Sequence, residues 1–150
     1  MNSVKIQMWL LIVVLVYGAI AQTQNTTGTI RVEVSGFEND KGKARLLLFN
    51  TRQKKYFPSG HKYAQIRLIQ DIRNGKATFF LNGINYGDYA ISVHHDENND
   101  GEVNTNWIGL PKEGLGASND AKGSFGPPDF EDAVFTLKSP QIVVKINMVN

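Results

Sequence analysis

The chain has 150 residues, with sixteen basic and fourteen acidic side chains, three His and no Cys, for a formal net charge of +2. So even a balance excludes bulk electrostatic attraction to nucleic acid, and the missing cysteines exclude a disulfide framework and a thiol nucleophile. The length suits one domain.

The first segment stands apart from that domain. Lys5 precedes the apolar run "MWLLIVVLVYGAI" over 8–20, and Ala19-Ile20-Ala21 has the small-x-small form of a signal-peptidase site. Together they read as a secretory signal over 1–21, cleaved after Ala21. The other reading is a retained anchor, but a run of thirteen residues falls short of the ~20 that span a bilayer. No later segment is apolar enough to cross a membrane. The mature chain, 22–150, is about 129 residues and long enough to bury a core. Its expected location is secreted or periplasmic.

Strand patterns follow in order. In "TIRVEVSGF", Ile30, Val32 and Val34 fall on one face, and Arg31, Glu33 and Ser35 on the other. That alternation is a half-buried strand. "ENDKGK" is a turn. "KARLLLFN" is apolar on both faces from Leu46 to Phe49, as a central strand would be. "TRQKKYFPSGHKYA" is a basic, aromatic loop with room for one helical turn, broken by Pro58 and Gly60. "QIRLIQDI" and "KATFFLNGI" flank Asn74-Gly75, the strongest short hairpin signal. "GDYAISVHH" alternates again, with Tyr89, Ile91 and Val93 on one face. After a long irregular stretch, "DAVFTLKS" and "QIVVKINMV" read as a terminal hairpin about Ser139-Pro140.

Seven strands and no convincing amphipathic helix predict an all-β fold. The expected form is an antiparallel β-sandwich of immunoglobulin or transthyretin type over 22–150. A small barrel is the alternative.

The irregular stretch concentrates charge. Residues 96–132 hold nine acids and two lysines, a net of −7, while 22–95 hold eleven basic residues and five acids, a net of +6. Within it, "DENNDG" places Asp96, Asn98 and Asp100 at positions 1, 3 and 5 and Gly101 at 6, the opening of a calcium loop. A hard cation takes six to eight oxygens, and alternate side chains converge when the backbone wraps around it. The Glu102 carbonyl suits position 7. Position 12 is Trp107, where an EF-hand needs a bidentate Glu, so an EF-hand is excluded. The expected site is a Ca2+ loop at the exit of a strand. Its metal ligands are Asp96, Asn98, Asp100, Glu102 and Asn104, completed by a distant acid such as Glu113 or Asp132, with Asp120, Asp129 and Glu131 as further candidates. The competing reading is an Asx-rich loop that holds no metal.

His94 and His95 end the strand beside Asp96. Adjacent strand residues point to opposite faces, so the two rings do not chelate one ion. One is expected to pack or hydrogen-bond against the loop while the other faces solvent. Ser92 lies on the same face as His94, but no oxyanion site accompanies it. Phe125 and Phe130 from one end, and Trp107, Ile108 and Leu110 from the other, are expected to staple the long loop to the core. The alternative is an aromatic ligand platform.

The segments "GKARLLLFN", "YGDYAISVHHDENNDGEVNTNWIGLPKEGLGASND" and "GPPDFEDAVFTL" resemble the DUF2141 family of bacterial exported proteins over about 28–148. The central block carries the family's G-x-Y-A, H-D-x-N-x-[DN]-G and G-[IL]-P-x-E-G-x-G-x-S-N patterns. Of the candidate residues, His95, Asp96, Asn98, Asp100, Glu113, Ser118 and Asn119 match that pattern. His94 departs from it, standing where the family has an apolar or aromatic residue. The resemblance implies a secreted or periplasmic β-sandwich and no particular activity. The candidate binding residues are His95, Trp107, Ser118 and Asn119. The expected function is a non-enzymatic binding or accessory module of the cell envelope whose partner is a glycan, a peptide or an envelope protein. The alternative is a hydrolase-like or metal-dependent enzyme using His95 with Asp96 and Glu113.

Overall fold

A computed structural model describes residues 26–124 and 126–150. The expected signal segment and Phe125 lie outside the described residues. No described helix is long and apolar enough to cross a membrane.

Eight strands form two sheets. They are β1 (Thr27–Ser35), β2 (Lys43–Asn50), β3 (Ile66–Gln70), β4 (Lys76–Asn85), β5 (Gly87–Asp96), β6 (Leu115–Ala117), β7 (Phe135–Leu137) and β8 (Gln141–Asn147). One sheet runs β4-β1-β8. The other runs β3-β2-β5-β6, with β7 also pairing β5. The neighbours are antiparallel except β1 and β8, which are parallel. The all-β sandwich is therefore as the alternation predicts.

The core lies between the sheets. Ile30, Val32 and Val34 of β1 meet Ala44, Leu46 and Leu48 of β2 and Tyr89, Ile91 and Val93 of β5, all buried. The larger sheet is covered on its far face as well. There Phe49, Ala90 and Ala117 pack with Phe130 and Ala133 of a single helical turn, Phe130–Ala133. This explains why β2 is apolar on both sides, and it confirms Phe130 as a staple.

Three sequence expectations are corrected. β7 and β8 form no hairpin: β7 pairs β5 in one sheet and β8 pairs β1 in the other. The chain at Ser139-Pro140 thus crosses between layers. Asn74-Gly75 does form a tight turn, with φ of 53° and 68° and paired Arg73 and Lys76 amides. Yet it joins strands of different sheets, so no ladder extends from it. The eighth strand, β6, was missed because three residues carry no readable period. Gly116 at its centre is required: a Cβ there would stand 2.8 Å from Ile146 Cγ2.

Candidate functional site

β5 sets the geometry. Its period of two sends Tyr89, Ile91, Val93 and His95 into the inter-sheet core and turns His94 and Asp96 to the other face. His95 is fully buried. Its Nε2 donates to the Lys41 carbonyl at 2.9 Å, and its ring meets Phe37 edge-on at 5.2 Å. Its Nδ1 has no hydrogen-bond partner, the nearest carboxylate oxygen being Glu97 Oε1 at 3.9 Å. His94 is also largely buried and donates to Glu113 Oε2 at 2.9 Å. Neither ring faces solvent, which corrects that half of the expectation. The departure of His94 from the family pattern has a local use, since Glu113 is its partner.

Asp96 is fully buried and paired with Arg45 of β2. Its Oδ2 also accepts from the Gly101 amide at 3.0 Å, and its Oδ1 from the Asp100 amide at 3.2 Å. Asn98 Oδ1 accepts from the Asp100 amide, and Asp100 Oδ1 from the Glu102 amide at 2.8 Å. The alternate side chains thus do turn inward, each holding an amide further along the loop. Gly101 makes the bend with φ of 82° and leaves space for the Arg45 guanidinium, 3.6 Å from where its Cβ would be.

Glu113 closes the loop's stem. It is buried, and besides His94 it accepts from the Glu97 amide at 3.1 Å and the Asn104 amide at 2.9 Å. Asn98 and Asn104 both donate to Asp100 Oδ2, at 2.8 and 3.0 Å. These bonds hold the exposed Asp100 carboxyl below the usual carboxylate range, that from Asn104 contributing most.

The expected calcium ligands are brought together only in part, and through amide donors. Asn98, Asp100 and Asn104 converge, whereas Asp96 has both oxygens engaged and its charge balanced by Arg45. Glu102 is exposed and lends the loop its amide. Asp132 is exposed on the helical turn, where its carbonyl accepts from Asn119. Among the described residues no three His, Asp or Glu side chains are placed to share one ion. Nor do His95, Asp96 and Glu113 line a common opening: the first two are fully buried, and Glu113 is bonded to His94.

Ser118 and Asn119 are brought together as a tie between chain segments. Ser118, fully buried, accepts from the Ile91 amide and donates to the Ala133 carbonyl. Asn119, with φ of 61°, donates to the Val134 carbonyl at 2.8 Å.

The outer part of the loop reverses the staple expectation. Thr105 and Pro111 form an isolated bridge. Asn106 Oδ1 accepts from the Ile108 and Leu110 amides at 3.0 Å, and its own amide donates to the Leu110 carbonyl. This ordered turn points its side chains outward. Trp107 is 94% exposed, and Ile108, Leu110 and Val103 are exposed beside it. Sequence reasoning weighed their hydrophobicity and overlooked Asn106, whose Asx turn and the positive φ of Gly109 (82°) mark a tight turn. Two shallow depressions lie along β4, near Lys76 and Thr78, and neither includes a residue of this loop.

A family model described as "Uncharacterized protein conserved in bacteria (DUF2141)" matches residues 32–145. No curated protein matches the chain, and no solved structure does.

Proposed function

The chain belongs to the DUF2141 family, and on that premise we propose that it is an exported, non-catalytic binding module of the cell envelope whose working surface is the tip of the 97–114 loop. One observation carries this reading: Trp107, the largest apolar side chain of the loop, is 94% exposed on a backbone held by hydrogen bonds. A contiguous exposed apolar patch costs solubility and marks contact sites. Export rests on the apolar run over 8–20 and the small-residue site at Ala21. The glycan, peptide or envelope protein expected as partner would meet this tip.

The test uses a sequence coincidence. The two tryptophans are Trp9 and Trp107, so a chain beginning at Gln22 reports on the tip alone through its fluorescence. Both sheets lie within that chain. Lipid, polysaccharide and protein fractions of a bacterial envelope are added separately. At least one should move Trp107 emission, and Trp107→Ala should lose that binding with unchanged circular dichroism. If no fraction moves the emission, the reading fails.

Calcium ordering of the loop is a second reading, favoured by the convergence of Asn98, Asp100 and Asn104. Bound calcium would be held by these residues and the Glu102 carbonyl. At one hundred times the dissociation constant, the domain would gain about 2.7 kcal/mol, a shift of several degrees in Tm. Equal Tm values in excess calcium and in chelator would remove this reading and leave Arg45 as the loop's counter-charge.

A further inference from the structure

We propose that the loop tip docks on a lipid surface, with Trp107, Ile108 and Leu110 entering the headgroup boundary; this deepens the reading of the tip as a binding surface and rests on it. Four observations point to lipid.

The first is charge. Residues 103–112 contain no acid, and their one charged side chain is Lys112, at the base of the turn. The acids of the loop lie below, at Asp96, Glu97, Asp100, Glu102 and Glu113. The tip is thus apolar at its end and amide-rich at Asn104 and Asn106, with the single cation Lys112 between it and the acids at its foot. That is the order of an interfacial anchor, in which an aromatic and its aliphatic neighbours enter and the polar groups stay wet.

The second is the backbone. The amides of Asn106, Ile108, Gly109, Leu110 and Lys112 all donate within the turn, and Pro111 has none to donate. A segment entering an apolar medium is penalised for each unpaired amide. Here five are already paired.

The third is shape and area. The three side chains are exposed on a tight turn, and neither depression along β4 includes them, so a small ligand finds no built pocket there. They offer on the order of 400 Å² of apolar surface, about half of the ~800 Å² that each partner gives to a specific protein complex. A lipid surface sets no such minimum, because it moulds around whatever enters.

The fourth is placement. The loop leaves β5 at Asp96, whereas the chain enters the fold at Thr26, bonded to Tyr86 at the other end of the sandwich. The stem of the loop therefore lies at the end of the sandwich away from Thr26.

The experiment adds vesicles to the chain from Gln22 onward. One set is zwitterionic phosphatidylcholine, and the other includes phosphatidylglycerol. Trp107 emission should move to shorter wavelength with both sets, and high salt should change the affinity little. Trp107→Ala should weaken sedimentation with vesicles roughly tenfold or more, the burial of one large apolar side chain. Ile108→Ser with Leu110→Ser should weaken it similarly with Trp107 in place, and circular dichroism of both variants should match the parent. Unchanged emission at saturating lipid overturns the inference. If an envelope protein or polysaccharide fraction moves the emission instead, the tip remains a binding surface and its occupant is not lipid. Binding that requires the anionic vesicles, vanishes in salt and ignores Trp107→Ala also overturns it. That result would assign docking to the basic loop of Arg52, Lys54, Lys55 and Lys62.

Discussion

The base and the tip of one loop obey opposite rules. At the base, charged side chains are buried and bonded: Asp96 to Arg45, and Glu113 to His94 and two amides. At the tip, apolar side chains are exposed: Trp107, Ile108 and Leu110. A folded chain places such groups against preference only where something compensates. At the base the compensation is visible inside the molecule, since every carboxylate oxygen named has a donor. At the tip none is seen among the described residues, and the proposed binding surface rests on that exposure. Buried polar groups here describe construction, and the exposed apolar ones are what the proposed function uses.

The comparison breaks most readily at the base. Asp96→Ala would leave the Arg45 guanidinium and the Gly101 amide without their acceptor, while the Asp100 amide keeps Asn98 Oδ1. We expect a loss of about 3 kcal/mol, near the low end for breaking a buried pair because Arg45 keeps 27% of its exposure. Urea unfolding measures it, and a loss under about 0.5 kcal/mol would place Asp96 among ordinary surface residues. Glu113→Ala removes the acceptor of His94 and of the Glu97 and Asn104 amides. Its expected cost is about 2 kcal/mol, and hydrogen exchange at those two amides should accelerate with it. Exchange unchanged at both would show that Glu113 does not close the stem.

Acid sharpens the same contrast. The Gly75 and Asn74 amides hold the Asp40 carboxyl below its ordinary range, and Asn104, the Glu102 amide and Asn98 do the same for Asp100. A depressed folded value means that unfolding takes up protons. The stability it gives is complete above the ordinary Asp value of about 3.9 and is lost as the pH falls through the folded value. The urea midpoint should therefore drop on acidification below about pH 4. Asp40→Asn with Asp100→Asn should flatten that drop. Both groups are exposed, so the effect is smaller than either clamp variant. An equal drop in the double variant would assign it to other carboxyls.

Parts of this were legible in the chain, and the boundary is physical. The alternation of Ile30, Val32 and Val34 and the apolar run Leu46–Phe49 gave the sandwich, because burial on one face or two imposes period. The inward turn of Asp96, Asn98 and Asp100 was legible from their spacing. Its counter-charge was not, because Arg45 reaches Asp96 only through the β2–β5 register, fifty-one residues away in sequence. The Glu113 clamp was hidden likewise, nineteen residues beyond His94. β7 and β8 look like a hairpin because each has a strand's composition, and composition does not say which sheet receives it. Trp107 was misplaced because hydrophobicity argues for burial, while the hydrogen bonds of Asn106 decide where the side chain points.

The smallest predicted effect is the most direct test. Trp107→Ala is compared with the parent chain by urea unfolding, followed by circular dichroism. An outward-facing tryptophan that supports nothing should cost no more than about 0.5 kcal/mol. A loss of about 3 kcal/mol or more, as for a packed aromatic, would make Trp107 a staple of the core and contradict the division of this loop into a built base and a working tip.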